Sequence, residues 1–364
     1  MAEPMSMRRA LRASLAALLW ALVTVAPAPA LAQDASPHAI DIPRWFSEGF
    51  LDFREETAAA DRDGKRLLVY FGQDGCPYCR ELMQNNFSQR AIVEKTRRHF
   101  VAIALNIWGD REVTWIDGRA MSEKDFARLL KVQFTPTLLF LDGKGRIVAR
   151  LNGYLPPRRF EAALDYVAGR LEDRQSLGDY LAAHVKDEAS ASLADEPFLM
   201  QPPFDLRRKA GARPLAVLFE TRHCQPCDEM HAEGFKRPEV QAQLKRFDIA
   251  RFALSDPREV VTPDGRRLAA QAWARELGIG YTPTVVFFDV ANREVFRIEG
   301  YQRPFHLTGS FEYVASGAYR TEPEFQRYLR AKSDKMRAAG QPVDFWSCTY
   351  ITWRAGPPAA CWRS

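Results

Sequence analysis

Two stretches of the chain repeat one order of apolar and polar blocks. In the first, a polar, helix-prone lead-in, Phe50 to Asp61, precedes the apolar run Leu67-Leu68-Val69-Tyr70-Phe71. The length and composition of that run predict a buried strand. A helical segment over Arg80–Asn86, a second strand over Phe100–Ile107 and a helix over Ala120–Leu130 follow. A hydrophobic strand over Leu138–Leu141, a turn at Asp142-Gly143 and a return strand over Ile147–Leu151 then read as a hairpin, and a closing helix completes the block. The second stretch gives the same reading: strands at Leu215–Phe219, Phe247–Leu254, Val285–Phe288 and Val295–Ile298, and helices at Asp228–Gly234 and Leu268–Leu277. The pattern predicts an α/β fold in which a mixed sheet flanked by helices is built twice.

The two blocks also share residues. One constant shift carries Cys76 and Cys79 onto Cys224 and Cys227, Phe71 onto Phe219, Leu82 onto Met230 and Phe87 onto Phe235. After a single-residue indel, a shift shorter by one carries Thr135-Pro136-Thr137 onto Thr282-Pro283-Thr284, Gly153-Tyr154 onto Gly300-Tyr301 and Tyr166-Val167 onto Tyr313-Val314. An ordered series of such matches is a tandem duplication of a whole domain rather than a short solenoid repeat.

The ends and the joint read differently. Arg8, Arg9 and Arg12 precede an apolar stretch from Leu11 to Val25, and Ala30-Leu31-Ala32 offers a small-x-small cleavage site, so residues 1–32 are expected to be an export signal removed before Gln33. The stretch is shorter than the roughly 20 residues of a spanning helix, and Pro27 and Pro29 follow it at once. Residues 186–197 are polar and end in proline, the composition of a linker. The expected organisation is a first domain over 33–185, a second over 198–333 and a tail over 334–364 that carries Cys348 and Cys361 among aromatic residues. An exported tail with two cysteines is expected to close a structural disulfide.

Composition narrows the function classes. Hydrophobic residues make up 46% of the 364 and charged residues 27%, the balance of a folded globular chain. The 51 basic residues exceed the 46 acidic ones by a net charge of only +5, with no dense basic run, which gives nucleic-acid binding no support. Six cysteines are too few for a disulfide scaffold at this size, and four of them form two CxxC pairs where a strand gives way to a helix, which points to redox or metal chemistry. One zinc held by all four is set aside because each pair belongs to its own repeat, with its own Thr-Pro.

A thiolate is the nucleophile of disulfide exchange, and the start of a helix favours it through unpaired N–H groups and the helix dipole. Cys76 and Cys224 are therefore expected to attack. Cys79 and Cys227, about one helical turn on, are expected to resolve the mixed disulfide. Pro77 and Pro226 fall in the first turn, where a missing N–H costs little. His223 reads equally as a thiolate partner and as a solvent-facing loop residue, whereas Leu82, Met230, Tyr154, Tyr301, Trp108 and Trp115 read as packing residues.

With Cys76-Pro77-Tyr78-Cys79, Cys224-Gln225-Pro226-Cys227 and a Thr-Pro downstream of each, both copies resemble thioredoxin-fold domains. The Phe after each active-site helix, the Asp-Gly insertion, the Thr-Pro-Thr and the Gly-Tyr resemble the periplasmic SoxW-type thioredoxins associated with sulfur oxidation. The resemblance implies that Pro136 and Pro283 are cis, that Thr135 and Thr282 present backbone to an extended substrate strand, and that no metal and no cofactor is needed. It also implies a periplasmic thiol–disulfide oxidoreductase acting on protein cysteines or sulfur-carrier cysteines, with electrons from a membrane donor of the DsbD or CcdA type. An oxidase or isomerase, and a client-holding chaperone module, are the alternatives. Tyr70 and Leu218 stand where thioredoxin keeps a buried aspartate, and Gly75 and His223 where it keeps a tryptophan.

Overall fold

The computed structural model describes residues 39–343 apart from 186–188 and 210. The expected export signal, the start of the expected linker, and Cys348 and Cys361 lie outside the described residues.

In the first repeat, α1 (Phe53–Arg62) is capped by Asp52, whose carboxylate accepts the N–H of Arg54. It leads to β1 (Arg66–Gly72), every residue of which is buried. Next come α2 (Pro77–Glu81), α3 (Arg90–His99), β2 (Phe100–Asn106), the short strands β3 (Glu112–Thr114) and β4 (Ala120–Ser122), and α4 (Glu123–Leu129). The hairpin β5 (Thr137–Leu141) and β6 (Ile147–Asn152) follows, then α5 (Pro157–Ala168) and α6 (Leu177–His184). The sheet order is β2-β1-β5-β6. In it β1 runs parallel to β2, with Leu68 opposite Ala102, and antiparallel to β5, with Leu68 opposite Phe140.

Side chains alternate across this sheet and meet two helical layers. Leu68, Tyr70, Leu138 and Phe140 pack with Phe160 and Leu164 of α5 and with Leu82 and Phe87 beyond α2. Leu67, Val69, Phe71 and Leu139 pack with Phe53 of α1 and Phe126 of α4. The sheet lies between these layers, and the ends of β1 and β5 carry the two loops that hold Cys76 and Pro136.

The second repeat follows the same plan: β7 (Phe204–Asp205), β8 (Leu215–Glu220), α7 (Gln225–Glu229), α8 (Pro238–Leu244), β9 (Asp248–Ala253), β10 (Glu259–Val261), β11 (Arg267–Ala269), α9 (Ala270–Glu276), β12 (Thr284–Phe288), β13 (Glu294–Glu299), α10 (Pro304–Ala315) and α11 (Phe325–Ala338). Its main sheet is ordered β13-β12-β8-β9. Both hairpins carry an irregularity at the same place, between Phe140 and Leu141 and between Phe287 and Phe288.

The structure departs from the sequence reading in four places. The helices expected from Ala120 and Leu268 begin later, because their first residues form β4 and β11. Gly118 and Gly265, at φ +84° and +88°, turn the chain back at Asp-Gly and close these hairpins, and Ser122 then caps α4 by accepting the N–H of Asp125. The helices after the cysteines are not regular α-helix throughout. Each widens into a π turn, Leu82–Asn86 and Met230–Gly234, in which Phe87 N–H bonds Leu82 O and Phe235 N–H bonds Met230 O. Finally, residues 189–197 are not a loose tether: Ser190 N–H donates to Asp228, Ser190 O accepts from His223, and Glu196 is buried against His231 and Lys236. Likewise α11 runs on through Ser333 and Asp334, where the sequence suggested the start of a tail.

Candidate active site

Each cysteine pair sits at the junction that the strand pattern dictates. Cys76 and Cys224 are the N-caps of α2 and α7, and their sulfurs accept the N–H of Cys79 at 3.1 Å and of Cys227 at 3.2 Å. Both pairs form disulfides with Cα atoms 5.2 Å apart. The residues just before, Gly75 and His223, share a left-handed backbone with φ of +73° and +53°. Glycine adopts it at no steric cost, while histidine gives up roughly 1–2 kcal/mol. His223 N–H bonds Ser190 O.

The loops expected to receive substrate lie against these cysteines. Thr135-Pro136 and Thr282-Pro283 are both cis. Thr135 O lies 3.5 Å from Cys76 Sγ, and Thr282 Oγ1 lies 3.5 Å from Cys224 Sγ. Each threonine is tied to the cysteine loop of its own repeat: Gln73 Nε2 donates to Thr135 Oγ1 at 3.0 Å, and the hydroxyls of Thr221 and Thr282 are 3.0 Å apart. Eight residues singled out in the sequence are thus gathered into two equivalent sites.

The sequence matches the thioredoxin-like domain family twice, over residues 53–168 and 205–315, together more than half of the chain. The chain belongs to the thioredoxin-like family. Solved structures similar to parts of it include a thioredoxin-fold protein from Helicobacter pylori, at 24% identity over 37% of this chain and 93% of that one, with a TM-score of 0.29. A thioredoxin from Thermus thermophilus is 27% identical over 32% of this chain and 83% of its own, with a TM-score of 0.26. The C-terminal domain of DsbD from Neisseria meningitidis is 20% identical over 28% of this chain and 82% of its own, with a TM-score of 0.23. No match is found among curated proteins. Two thioredoxin-like domains, each with a CxxC pair at disulfide distance, make the protein a thiol–disulfide oxidoreductase.

In this thioredoxin-like pair the two proline loops dock on each other's domain. Phe134 joins the core of the second domain, against Phe296 and Phe325, with ring centroids 5.8 and 5.4 Å away. Its repeat counterpart Tyr281 accepts the N–H of Asn152 in the first domain at 2.9 Å. Asn152 and Glu299, themselves counterparts, bond side chain to side chain. Gln133 O accepts from the Gln326 side chain of α11, and Gly280 O accepts from Gly178 N–H of α6. Tyr78, between the first two cysteines, meets His306 of the second domain edge to face at 5.2 Å. Burial brings the His306 imidazole down to about 4.

Buried protic groups near both sites went unread in the sequence. Glu220 ends β8 and is 1% exposed; its Oε1 meets His231 Nε2 at 2.9 Å, while its Oε2 has no hydrogen-bond partner among the described residues. His231 Nδ1 meets Glu196 at 3.2 Å, and Lys236 pairs with Glu196 at 2.9 Å. Burial pulls the His231 imidazole down, but the hydrogen bonds and charges of Glu220 and Glu196 outweigh it and raise the group above its ordinary value. The counterpart of Glu220 is Gly72, where a Cβ would lie 2.0 Å from the hydroxyl of Tyr70. That hydroxyl is also buried without a partner among the described residues, and burial, then the charge of Asp74, raises its pKa. The two domains thus place a protic atom at the same point with different residues. Only the absence of a side chain at Gly72 signals this in the sequence.

Proposed function

We propose that the protein is an exported thiol–disulfide reductase in which Cys76 and Cys224 attack and Cys79 and Cys227 resolve. The observation that carries the reading is the capping geometry: the sulfur that accepts an N–H at a helix start is the one whose thiolate the backbone favours. A thiolate at Cys76 or Cys224 displaces one sulfur of a client disulfide. Its partner cysteine then attacks the mixed disulfide, so the domain ends oxidised and the client reduced by two electrons. Thr135 and Thr282, beside the attacking sulfurs, hold the client segment.

Several features support the reducing direction and the setting. Asp228 lies in the first turn of α7, where no basic residue balances it. Its charge disfavours a nearby thiolate and makes the second dithiol a ready electron donor. Residues 1–32 have the composition of an export signal, and an exported reductase needs electrons from outside, for which a membrane dithiol donor of the DsbD or CcdA type is the fitting class. Residues 33–185 and 198–333 act as the two redox domains. Clients are disulfides of proteins or of sulfur-carrier cysteines, presented on an extended segment beside the cis Thr135-Pro136 or Thr282-Pro283. The reading is tested by the reduction potential of each pair. A value of about −270 mV supports a reductase, and one of about −120 mV, with no insulin reduction in the presence of dithiothreitol, makes the protein an oxidant.

A further inference from the structure

One side chain ahead of each attacking cysteine reaches across to its proline loop. Gln73 and Thr221 stand three residues before Cys76 and Cys224, and each meets the hydroxyl of the threonine that precedes the cis-proline: Gln73 Nε2 lies 3.0 Å from Thr135 Oγ1, and Thr221 Oγ1 lies 3.0 Å from Thr282 Oγ1. The two ties differ in what stands behind them. Thr221 and Thr282 pair two hydroxyls, either of which can donate. Gln73 belongs to a longer series: Trp108 Nε1 donates to its Oε1 at 2.6 Å, and its Nε2 donates also to Gln326 Oε1 at 2.9 Å. Gln326, on α11 of the second domain, donates in turn from Nε2 to Gln133 O at 2.9 Å, two residues before Thr135. Arg327 and Arg330 of the same helix each lie 5.7 Å from the centre of the Trp108 ring, within cation–π range.

Hydrogen-bonding chemistry leaves this series one direction. An indole N–H only donates and a backbone carbonyl only accepts, so Trp108 at one end and Gln133 O at the other fix which way both amides face. Gln73 Oε1 is turned to the indole, and both Nε2 hydrogens are then committed, one to Thr135 and one to Gln326. Thr135 Oγ1 therefore accepts from Gln73, and its own proton points elsewhere. Thr135 is 7% exposed and its carbonyl lies 3.5 Å from Cys76 Sγ, so the side chain being oriented is the one beside the attacking sulfur. The second domain takes part without its cysteines, because Gln326 holds both Gln73 and the loop that leads to Thr135.

We infer that Gln73 is a positioning residue of the first site, which turns the Thr135 hydroxyl to the client, and that Gln326 of the second domain holds Gln73 in place. The role rests on the redox reading above, in which Thr135 receives the client segment. An unheld threonine side chain divides its time among staggered χ1 rotamers, and a client that docks on it must first select one. Fixing the rotamer and the direction of the hydroxyl before the client arrives removes that cost from binding. The effect therefore falls on client affinity rather than on sulfur exchange, because the Gln73 amide acts on Thr135 and not on a sulfur.

The test uses the full chain with Cys224→Ser and Cys227→Ser, so that only the first pair reacts, and reads kcat and KM for insulin reduction in the presence of dithiothreitol. Gln73→Met keeps the length and bulk of the side chain but removes the amide. It should raise KM about fivefold, the order of one hydrogen bond, with kcat changed less than about twofold. Thr135→Val, which removes the hydroxyl alone, should raise KM by as much, and adding Gln73→Met to it should change nothing further, since one effect acts through the other. Gln326→Ala should raise KM about twofold, and that rise should vanish in the Thr135→Val background. Circular dichroism checks that each variant is folded; should Gln73→Met misfold, Gln326→Ala, in the other domain, carries the measurement. An unchanged KM in the folded variants, a fall in kcat with KM unaltered, or effects of Gln73→Met and Thr135→Val that multiply would overturn the inference. If the chain with the first pair alone reduces insulin and its variants do so with the same KM, the redox reading stands and the positioning role falls; if it reduces no insulin, the redox reading of the first site falls and the positioning role with it.

Discussion

Phe134 and Tyr281 occupy the same position in the two repeats, two residues before the cis-proline, and each is buried against the other domain. Phe134→Ala should therefore destabilise the second domain although the residue belongs to the first. Loss of a buried Phe costs about 3–5 kcal/mol. Tyr281→Phe keeps the ring but leaves Asn152 N–H without its acceptor, at a cost of roughly 1–3 kcal/mol. Urea unfolding of the full chain, followed by fluorescence and by circular dichroism, measures both. A Phe134→Ala chain as stable as the parent would remove the interface from the account.

The order of the cysteines makes a separate prediction. Cys79→Ser and Cys227→Ser chains should accumulate mixed disulfides with clients, since the thiol that releases them is gone. Cys76→Ser and Cys224→Ser chains should accumulate few. Non-reducing gels after incubation with an oxidised client read the difference, and equal trapping by the two sets would reverse the roles.

The two pairs should also differ in potential. The helix after Cys76 has no acidic residue in its first turn and Arg80 in its last, whereas the one after Cys224 has Asp228 and no basic residue. A cationic neighbour favours the thiolate and an anionic one disfavours it, so the first pair should be the more oxidising. Full chains with one pair replaced by serine, equilibrated against glutathione buffers and alkylated, give each potential. A second-pair potential equal to or above the first would contradict this order.

Acid should loosen the contact between Tyr78 and His306. His306 titrates at about 4 in the folded chain and near 6.5 when exposed, so between these values the unfolded form binds the proton that the folded form excludes. Its contribution is intact above pH 6.5 and lost as pH falls toward 4, at most about 3 kcal/mol from the difference in pKa. His231 works in the opposite sense: raised by its carboxylates, it stabilises below pH 6.5 and loses that effect as pH rises through its folded value. Thermal unfolding from pH 4 to 8 should show His306→Phe flattening only the acid side. An unchanged acid limb would mean that another group governs it.

The sequence reading reached the sheet, the duplication and both cysteine junctions because those follow from local periodicity and spacing. Leu67–Phe71 is an unbroken apolar run whose five-residue length suits a buried strand. It missed β4 and β11, where three residues of unremarkable composition pair only because a glycine turn brings their partners back. The π turns were hidden for a related reason, since Leu82–Asn86 has helical composition and the wider hydrogen bond shows only in coordinates. The buried Glu220–His231 pair and the reciprocal burial of Phe134 and Tyr281 depend on residues far apart in the chain. No window of sequence contains them.

The contact across Asn152 and Glu299 has a further consequence. An arrangement in which residue i of one copy meets j of the other while j meets i is isologous, the way two identical subunits pair about a two-fold axis. Here that pairing joins two copies within one polypeptide, with Asn152 and Glu299 near the pseudo-axis. The protein is in effect a dimer whose halves are encoded separately. A true homodimer must change both active sites together, whereas here the Gln326 side chain bonds Gln73 beside the first site and Gly178 N–H bonds Gly280 O on the loop of the second, so the two surroundings have diverged.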